Sequence, residues 1–227
     1  MKIGVLLSSG KDSVLAMHKA AETHEISCLI TIISENKESY MFHTPNINMA
    51  EVQSKCLGIP LLVANTKGEK EKELADLKKA ISDAVKKYGI QGIVSGAVAS
   101  TYQASRIQKI CDELGIKCIN PLWQIDQIKL LKELVSKKFD VLIVGVFAYP
   151  LNEKWLGRKI DSKSIADLKI LYEKYKINPA GEGGEIETLV LDAPMFKKKI
   201  EITKSSKEYS NNAGILKIKS YRLTSKA

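Results

Sequence analysis

Two hydroxyls, a glycine, a cation, a carboxylate and a third hydroxyl stand together in Ser8-Ser9-Gly10-Lys11-Asp12-Ser13, directly after the apolar run Ile3–Leu7. An apolar run of that length suits a buried parallel strand, and Val14, Leu15, His18 and Ala21 begin a helical stripe behind it. A turn between strand and helix aims backbone N–H groups outward, and the positive end of the helix dipole adds to them, so the stretch suits phosphate. Small side chains at Ser8, Ser9 and Gly10 allow close approach. Lys11 can offset phosphate charge and Asp12 can reach a magnesium ion. A Walker loop would need glycine five positions before the glycine-lysine pair and Ser or Thr after the lysine. Those places hold Val5 and Asp12, which argues against GTPase-type γ-phosphoryl transfer.

A second constellation lies far downstream. Gly181-Glu182-Gly183-Gly184-Glu185-Ile186-Glu187-Thr188 packs three glycines and three carboxylates into eight residues, running into Leu189-Val190-Leu191. Glycines so dense imply sharp turns or close ligand contact, and gathered carboxylates repel one another unless a cation is near. Magnesium, ammonium or a cationic substrate each meets that need. Between the two constellations, Gly96-Ala97-Val98-Ala99-Ser100 ends an apolar run with small residues, which lets a ligand approach the carboxyl edge of a sheet. Tyr102, Gln103 and Arg106 fall in the first turns of the helix that follows. Spacing alone leaves Arg106 between a bidentate anion ligand and an ordinary surface arginine.

The elements that must position these groups alternate strand and helix. Apolar runs predict strands at Ile26–Ile33, Ile59–Ala64, Ile90–Ser95, Ile116–Ile119 and Asp140–Phe147, with helical stripes between them. The reading is a doubly wound, mainly parallel α/β sheet over residues 1–147 and a smaller α+β subdomain over 148–227, closed by short strands at Ile200–Ile202 and Ile215–Ile218. Tyr40-Met41-Phe42 is expected to extend or cover the sheet, and His43-Thr44-Pro45-Asn46 to turn. The alternating charges of Glu69–Glu73 read as i, i+4 pairs on an exposed helix.

The chain has 227 residues, 44% of them hydrophobic, and no run approaching the ~20 apolar residues of a membrane span, so a cytoplasmic protein is expected. Cys28, Cys56, Cys111 and Cys118 form no Cys-x-x-Cys pair, which argues for reduced thiols and against thiolation chemistry. The formal charge is +9. The basic piece from Phe196 onward suits an anionic macromolecule, RNA or acidic protein, or simply a solvated lysine-rich face.

The loop Ser8–Ser13 resembles that of the N-type ATP pyrophosphatases, with Ser9 in place of the first glycine. Together with the His43–Asn46 turn, Tyr102-Gln103 ahead of Arg106, Pro121-Leu122-Trp123 and Gly181–Thr188, it recurs in that order in diphthine–ammonia ligases, most closely the compact archaeal form. Ala104 stands where that family often has a second arginine. The resemblance implies that ATP adenylates the carboxylate of diphthine on translation elongation factor 2 and that ammonia displaces AMP. It implies ATP and Mg2+ at Ser8, Ser9, Gly10, Lys11, Asp12, Ser13, His43 and Gly96, with Asp12 on the metal. Catalysis then falls to Lys11, Asp12, Glu182, Glu185 and Glu187, the glutamates holding ammonium or taking its proton. Substrate falls to Tyr102, Gln103, Arg106, Gly181, Gly183, Gly184 and Thr188. Trp123, Tyr149 and Trp155 are candidates for an aromatic cage around the trimethylammonium group. The rival readings are an ATP-dependent tRNA-modifying enzyme and a non-catalytic ATP sensor, and a chain of this size is open to forming a homodimer.

Overall fold

The computed structural model describes residues 1–36, 46–69 and 71–226. His43 and the Tyr40-Met41-Phe42 stretch lie outside the described residues. Contacts divide the chain into two compact units, Met1–Trp123 and Gln124–Ala227.

The first unit runs β1 (Lys2–Leu6), α1 (Lys11–Ala20), β2 (Glu25–Ser34), α2 (Met49–Leu57), β3 (Leu61–Thr66), α3 (Lys72–Tyr88), β4 (Gly92–Val94), α4 (Thr101–Glu113) and β5 (Lys117–Ile119). Its strands pair in parallel in the order β3-β2-β1-β4-β5. Central strands covered on both faces must be apolar on both, and Ile3, Val5, Leu29, Ile30, Ile93 and Val94 are all buried. Leu77, Ala80, Ile81 and Ala84 of α3 and Ile107, Ile110 and Cys111 of α4 close one side of that core. The strand order reverses between β1 and β4. In open α/β sheets that switch point is where the crevice for ligands opens, at the carboxyl ends of the strands.

The second unit runs α5 (Gln127–Ser136), β6 (Asp140–Val146), α6 (Ser162–Tyr175), β7 (Ile186–Asp192), β8 (Lys198–Ser210) and β9 (Ala213–Ser225). Here the sheet order is β7-β6-β9-β8 and the pairing is antiparallel. This corrects two expectations. The Asp140–Phe147 run does not extend the parallel sheet but forms β6, at the centre of the second one. A continuous apolar run looks the same in a buried parallel strand and in an antiparallel strand covered on both faces, so periodicity could not tell them apart. The closing strands are also much longer than their apolar marks. β8 and β9 form a ribbon of 13 residues each, joined at Asn211-Asn212 with φ of 50° and 60°. Two successive positive φ values are the signature of a type I′ hairpin turn, which sets the register of a ribbon whose exposed residues are mostly polar or charged.

Asp161 caps α6 and exchanges hydrogen bonds with Ser164, its carboxylate accepting from the Ser164 N–H at 2.7 Å. That N–H holds the Asp161 carboxyl below its usual range. Asp161→Ala is expected to cost about 1 kcal/mol in a denaturant titration near neutral pH. The sign follows from a lowered folded pKa: the cap's contribution is complete above about pH 4 and is lost as pH falls through the lower folded value. Among the described residues, no helix is long and apolar enough to cross a membrane.

Candidate active site

Between β1 and α1 the chain turns through Leu7–Gly10 at the switch point. Three of its carbonyls, those of Leu7, Ser9 and Gly10, accept hydrogen bonds from side chains of other elements or of the helix itself. Thr31 Oγ1 donates to the Leu7 carbonyl at 2.8 Å, Gln53 Nε2 to the Ser9 carbonyl at 3.0 Å and Ser13 Oγ to the Gly10 carbonyl at 3.1 Å. In a trans peptide the next N–H points opposite to the carbonyl. The Gly10 and Lys11 N–H groups therefore face the other way, at a helix whose N-cap, Gly10, makes no side-chain cap bond. Backbone donors gathered at a helix N-terminus attract anions. Ser13 Oγ also accepts from the Ser8 N–H at 3.2 Å, which closes the turn on itself.

Ser9, standing where the resembling loop has glycine, does adopt the left-handed conformation, φ 69°. A side chain there costs about 1–2 kcal/mol. Its buried hydroxyl has no hydrogen-bond partner, a further penalty. Ser9→Gly is therefore expected to raise stability by about 1 kcal/mol, after the extra freedom glycine gains in the unfolded chain, as read by the thermal midpoint.

Lys11 is 3% exposed, and its ammonium lies 2.8 Å from Asp12 Oδ2. The other Asp12 oxygen is buried without a hydrogen-bond partner. An anionic oxygen so placed suits a hard cation, and magnesium is commonly held by one or two carboxylates plus substrate phosphates. Among the described residues no group of three or more His, Cys, Asp or Glu could hold a metal without such help. Gly96, just past β4, lies against the same helix start. A Cβ there would stand 2.7 Å from the Ser13 nitrogen and 2.9 Å from the Asp12 carbonyl carbon. Its small size thus serves the seating of α1, the element that carries the loop.

Along the same edge, the Arg106 guanidinium lies 3.4 Å from the Tyr102 ring centroid and donates to Glu71 Oε1 at 2.7 Å. Tyr102 Oη donates to the same oxygen at 3.3 Å. Gln103 sits in the first turn, its N–H on the Ser100 cap. The expectation that the Glu69–Glu73 charges only pair along a helix is corrected. α3 begins at Lys72, Glu71 stands before it with φ 67°, and Glu73 is buried. Arg106 therefore already holds a carboxylate, that of Glu71.

The acidic constellation belongs to the second unit. Glu185 Oε1 accepts from the Asn178 N–H and side-chain amide at 3.1 and 2.8 Å, and Oε2 from the Gly183 N–H at 2.8 Å. Three donors from the chain make Glu185 the latch of its own loop. Gln127 fastens the segment before it, giving a hydrogen bond to Asn178 at 2.9 Å and taking one from the Ala180 N–H at 2.9 Å. Gly181, φ 78°, could carry no side chain: a Cβ would come within 2.5 Å of the Ile186 carbonyl oxygen. Gly184 turns at φ 83° and Gly183 lies against the Glu185 carboxylate. Glu182 and Glu187 are half-buried and Thr188 is buried.

Within the second unit, Trp155 and Tyr149 find separate surroundings. Trp155 is 7% exposed, with the Arg158 guanidinium 4.0 Å from its ring centroid. That cation, anchored on Asp167 at 2.7 Å, already covers a face a cage would need. Tyr149 is 65% exposed and meets Tyr175 edge to face at 5.4 Å. Trp123, half-buried, ends the first unit. Sequence reasoning missed Gln53, Thr31, Glu71, Gln127 and Asn178. Only Gln53 left a signal, a polar residue on the buried face of α2 between Met49 and Cys56.

A doubly wound parallel sheet with backbone N–H groups gathered at a helix N-terminus at its switch point defines an α/β protein with a loop suited to an anion. Residues 1–118 match the family model of the diphthamide synthase N-terminal domain and residues 126–224 that of the C-terminal domain. The diphthine–ammonia ligase of Homo sapiens is 31% identical over 90% of this chain and 84% of its own length. That of Schizosaccharomyces pombe is 33% identical over 89% of this chain, which spans only 36% of the yeast protein. A solved structure, a predicted subunit of tRNA methyltransferase from Methanocaldococcus jannaschii, superposes with a TM-score of 0.44 at 21% identity, covering 86% of this chain and 98% of its own. The chain belongs to the diphthamide synthase, or diphthine–ammonia ligase, family.

Proposed function

We propose that this chain amidates diphthine on translation elongation factor 2, using ATP and ammonium. A carboxylate is a poor acylating agent. In this scheme a diphthine carboxylate oxygen attacks the α-phosphorus, the bond to the β-phosphate breaks, and pyrophosphate leaves. Ammonium first gives up a proton to a carboxylate, the ammonia so formed adds to the acyl carbon, the C–O bond to AMP breaks, and the nitrogen releases a second proton to water. The observation that carries this reading is the turn at Leu7–Gly10, whose Ser9 and Gly10 carbonyls are tied back so that the Gly10 and Lys11 N–H groups turn the other way, where they can meet an anion. Those donors and Lys11 would hold the β- and γ-phosphates and leave the α-phosphate open to attack. Asp12, through its buried oxygen, would hold Mg2+, which supplies charge neutralisation on the phosphates. Arg106 would exchange the Glu71 carboxylate for that of the substrate. Glu182, Glu185 and Glu187 are the carboxylates assigned to ammonium, with Glu185 also accepting hydrogen bonds from its own loop.

Turnover with diphthine-bearing factor and ammonium should release AMP and pyrophosphate, and omission of either substrate should stop it. ADP and orthophosphate in their place would overturn the scheme.

The β8–β9 ribbon is assigned to docking of the protein substrate. Thr203–Ser205 and Lys219–Arg222 are exposed as consecutive residues, so both faces of the ribbon are open there. Arg222 and Lys217 are matched by Glu201 and Glu208, while among the described residues Lys204 and Lys219 make no such ion pair. The double variant Lys204→Glu, Lys219→Glu is expected to raise KM for the factor by about threefold to tenfold and to flatten its salt dependence, with ATP affinity unchanged.

A further inference from the structure

We propose that Gln53 is a positioning residue of the phosphate loop, holding the Ser9–Gly10 peptide so that the Gly10 N–H is aimed at the outer phosphates of the nucleotide. The inference rests on the ATP reading above. Gln53 is 0% exposed, on the face of α2 that also buries Met49, Val52, Cys56 and Leu57. Burying an amide among apolar neighbours costs free energy unless its hydrogen bonds are made, so an apolar residue would serve packing better. Its Nε2 donates to the Ser9 carbonyl at 3.0 Å, across 44 positions of sequence.

Local geometry does not choose the orientation of that peptide. Gly10, at φ −79° and ψ 168°, has no Cβ to resist rotation, and Ser9 is already in a costly conformation at φ 69°. If the plane turned over, the Ser9 carbonyl would face the phosphate and the Gly10 N–H would face away. One donor for the anion would become a repelling dipole. A side chain from another element, fixed in a packed core, holds the peptide against that reversal.

The test uses the full chain and calorimetric binding of ATP, pyrophosphate and AMP. Gln53→Leu keeps most of the volume and removes the donor. Affinity for ATP and pyrophosphate is expected to fall about tenfold, equivalent to about 1.4 kcal/mol. AMP, which lacks the outer phosphates, should lose less than about twofold. Wild-type affinity for ATP in the variant, or an equal loss for ATP and AMP, overturns the inference, the second because general loosening of the fold would act on both. Gln53→Glu supplies an independent reading should the leucine variant fold poorly. A protonated carboxyl can donate to the Ser9 carbonyl and an ionised one cannot, and burial raises its pKa. Its deficit against wild type at each pH should shrink as pH falls. A deficit that is constant with pH counts against the proposal. A wild-type protein that binds neither ATP nor pyrophosphate removes the ATP reading itself and this inference with it.

Discussion

Lys11→Ala is expected to cut AMP and pyrophosphate formation by about 10²–10³-fold, while the protein keeps its fold. The magnitude is that of losing one preorganised group aimed at developing charge in a site sheltered from water. Lys11 meets the condition, since it is 3% exposed and its ammonium is held at the helix start by Asp12 at 2.8 Å. Phosphate oxygens arriving at that point would meet a cation already desolvated and oriented. Lys11→Arg should recover little, because a planar fork does not replace a compact ammonium in a buried space built around it. Single-turnover release of labelled pyrophosphate separates the effect on chemistry from that on binding. Wild-type rates in Lys11→Ala would remove the loop from the mechanism.

Gly96→Ala is expected to lower both stability and turnover, by about 1–3 kcal/mol and more than tenfold respectively, although no side chain of a catalytic group is touched. The added Cβ would meet backbone, namely the Ser13 nitrogen at 2.7 Å and Cα at 3.0 Å and the Asp12 carbonyl carbon at 2.9 Å. Backbone cannot rotate aside as a flexible side chain can. The first turn of α1 must shift, and the N–H groups of the loop shift with it. Gly89→Ala is the control. At φ 63°, with nothing within 4 Å of the added Cβ, it costs only the left-handed penalty of about 1–2 kcal/mol and should leave turnover unchanged. Equal loss of turnover in both variants would mean that Gly96 acts through general stability alone.

Much of the first unit was legible in the amino-acid sequence. Ile3–Leu7 and the runs that became β2, β3 and β4 are apolar on both faces, the mark of parallel strands under helices, and the small residues that follow β1 and β4 stand at the switch point. The acidic glycine loop was legible as a constellation but not in its hydrogen bonding. Glu182, Glu185 and Glu187 look alike in sequence, yet Glu185 is committed to Asn178 and Gly183. Likewise Trp155 reads like Tyr149 as an aromatic in an irregular stretch, and only packing reveals that Arg158 covers its ring. The β8–β9 ribbon ran past its apolar marks because a ladder of backbone hydrogen bonds needs no hydrophobic residue at each rung.

By itself, then, the sequence determined which segments are strands and helices of the first sheet, where a turn of small residues would offer N–H groups to phosphate, and which carboxylates would be crowded together. These are properties of neighbours along the chain, set by side-chain period and by local sterics. Only the tertiary structure decided that β6 joins β7 and β9, that Glu71 takes hold of Arg106, and that Gln53 donates to the Ser9 carbonyl. Each of these joins residues far apart in the chain. The free energy that selects such a contact comes from burial and hydrogen bonding across the fold, which no local pattern records.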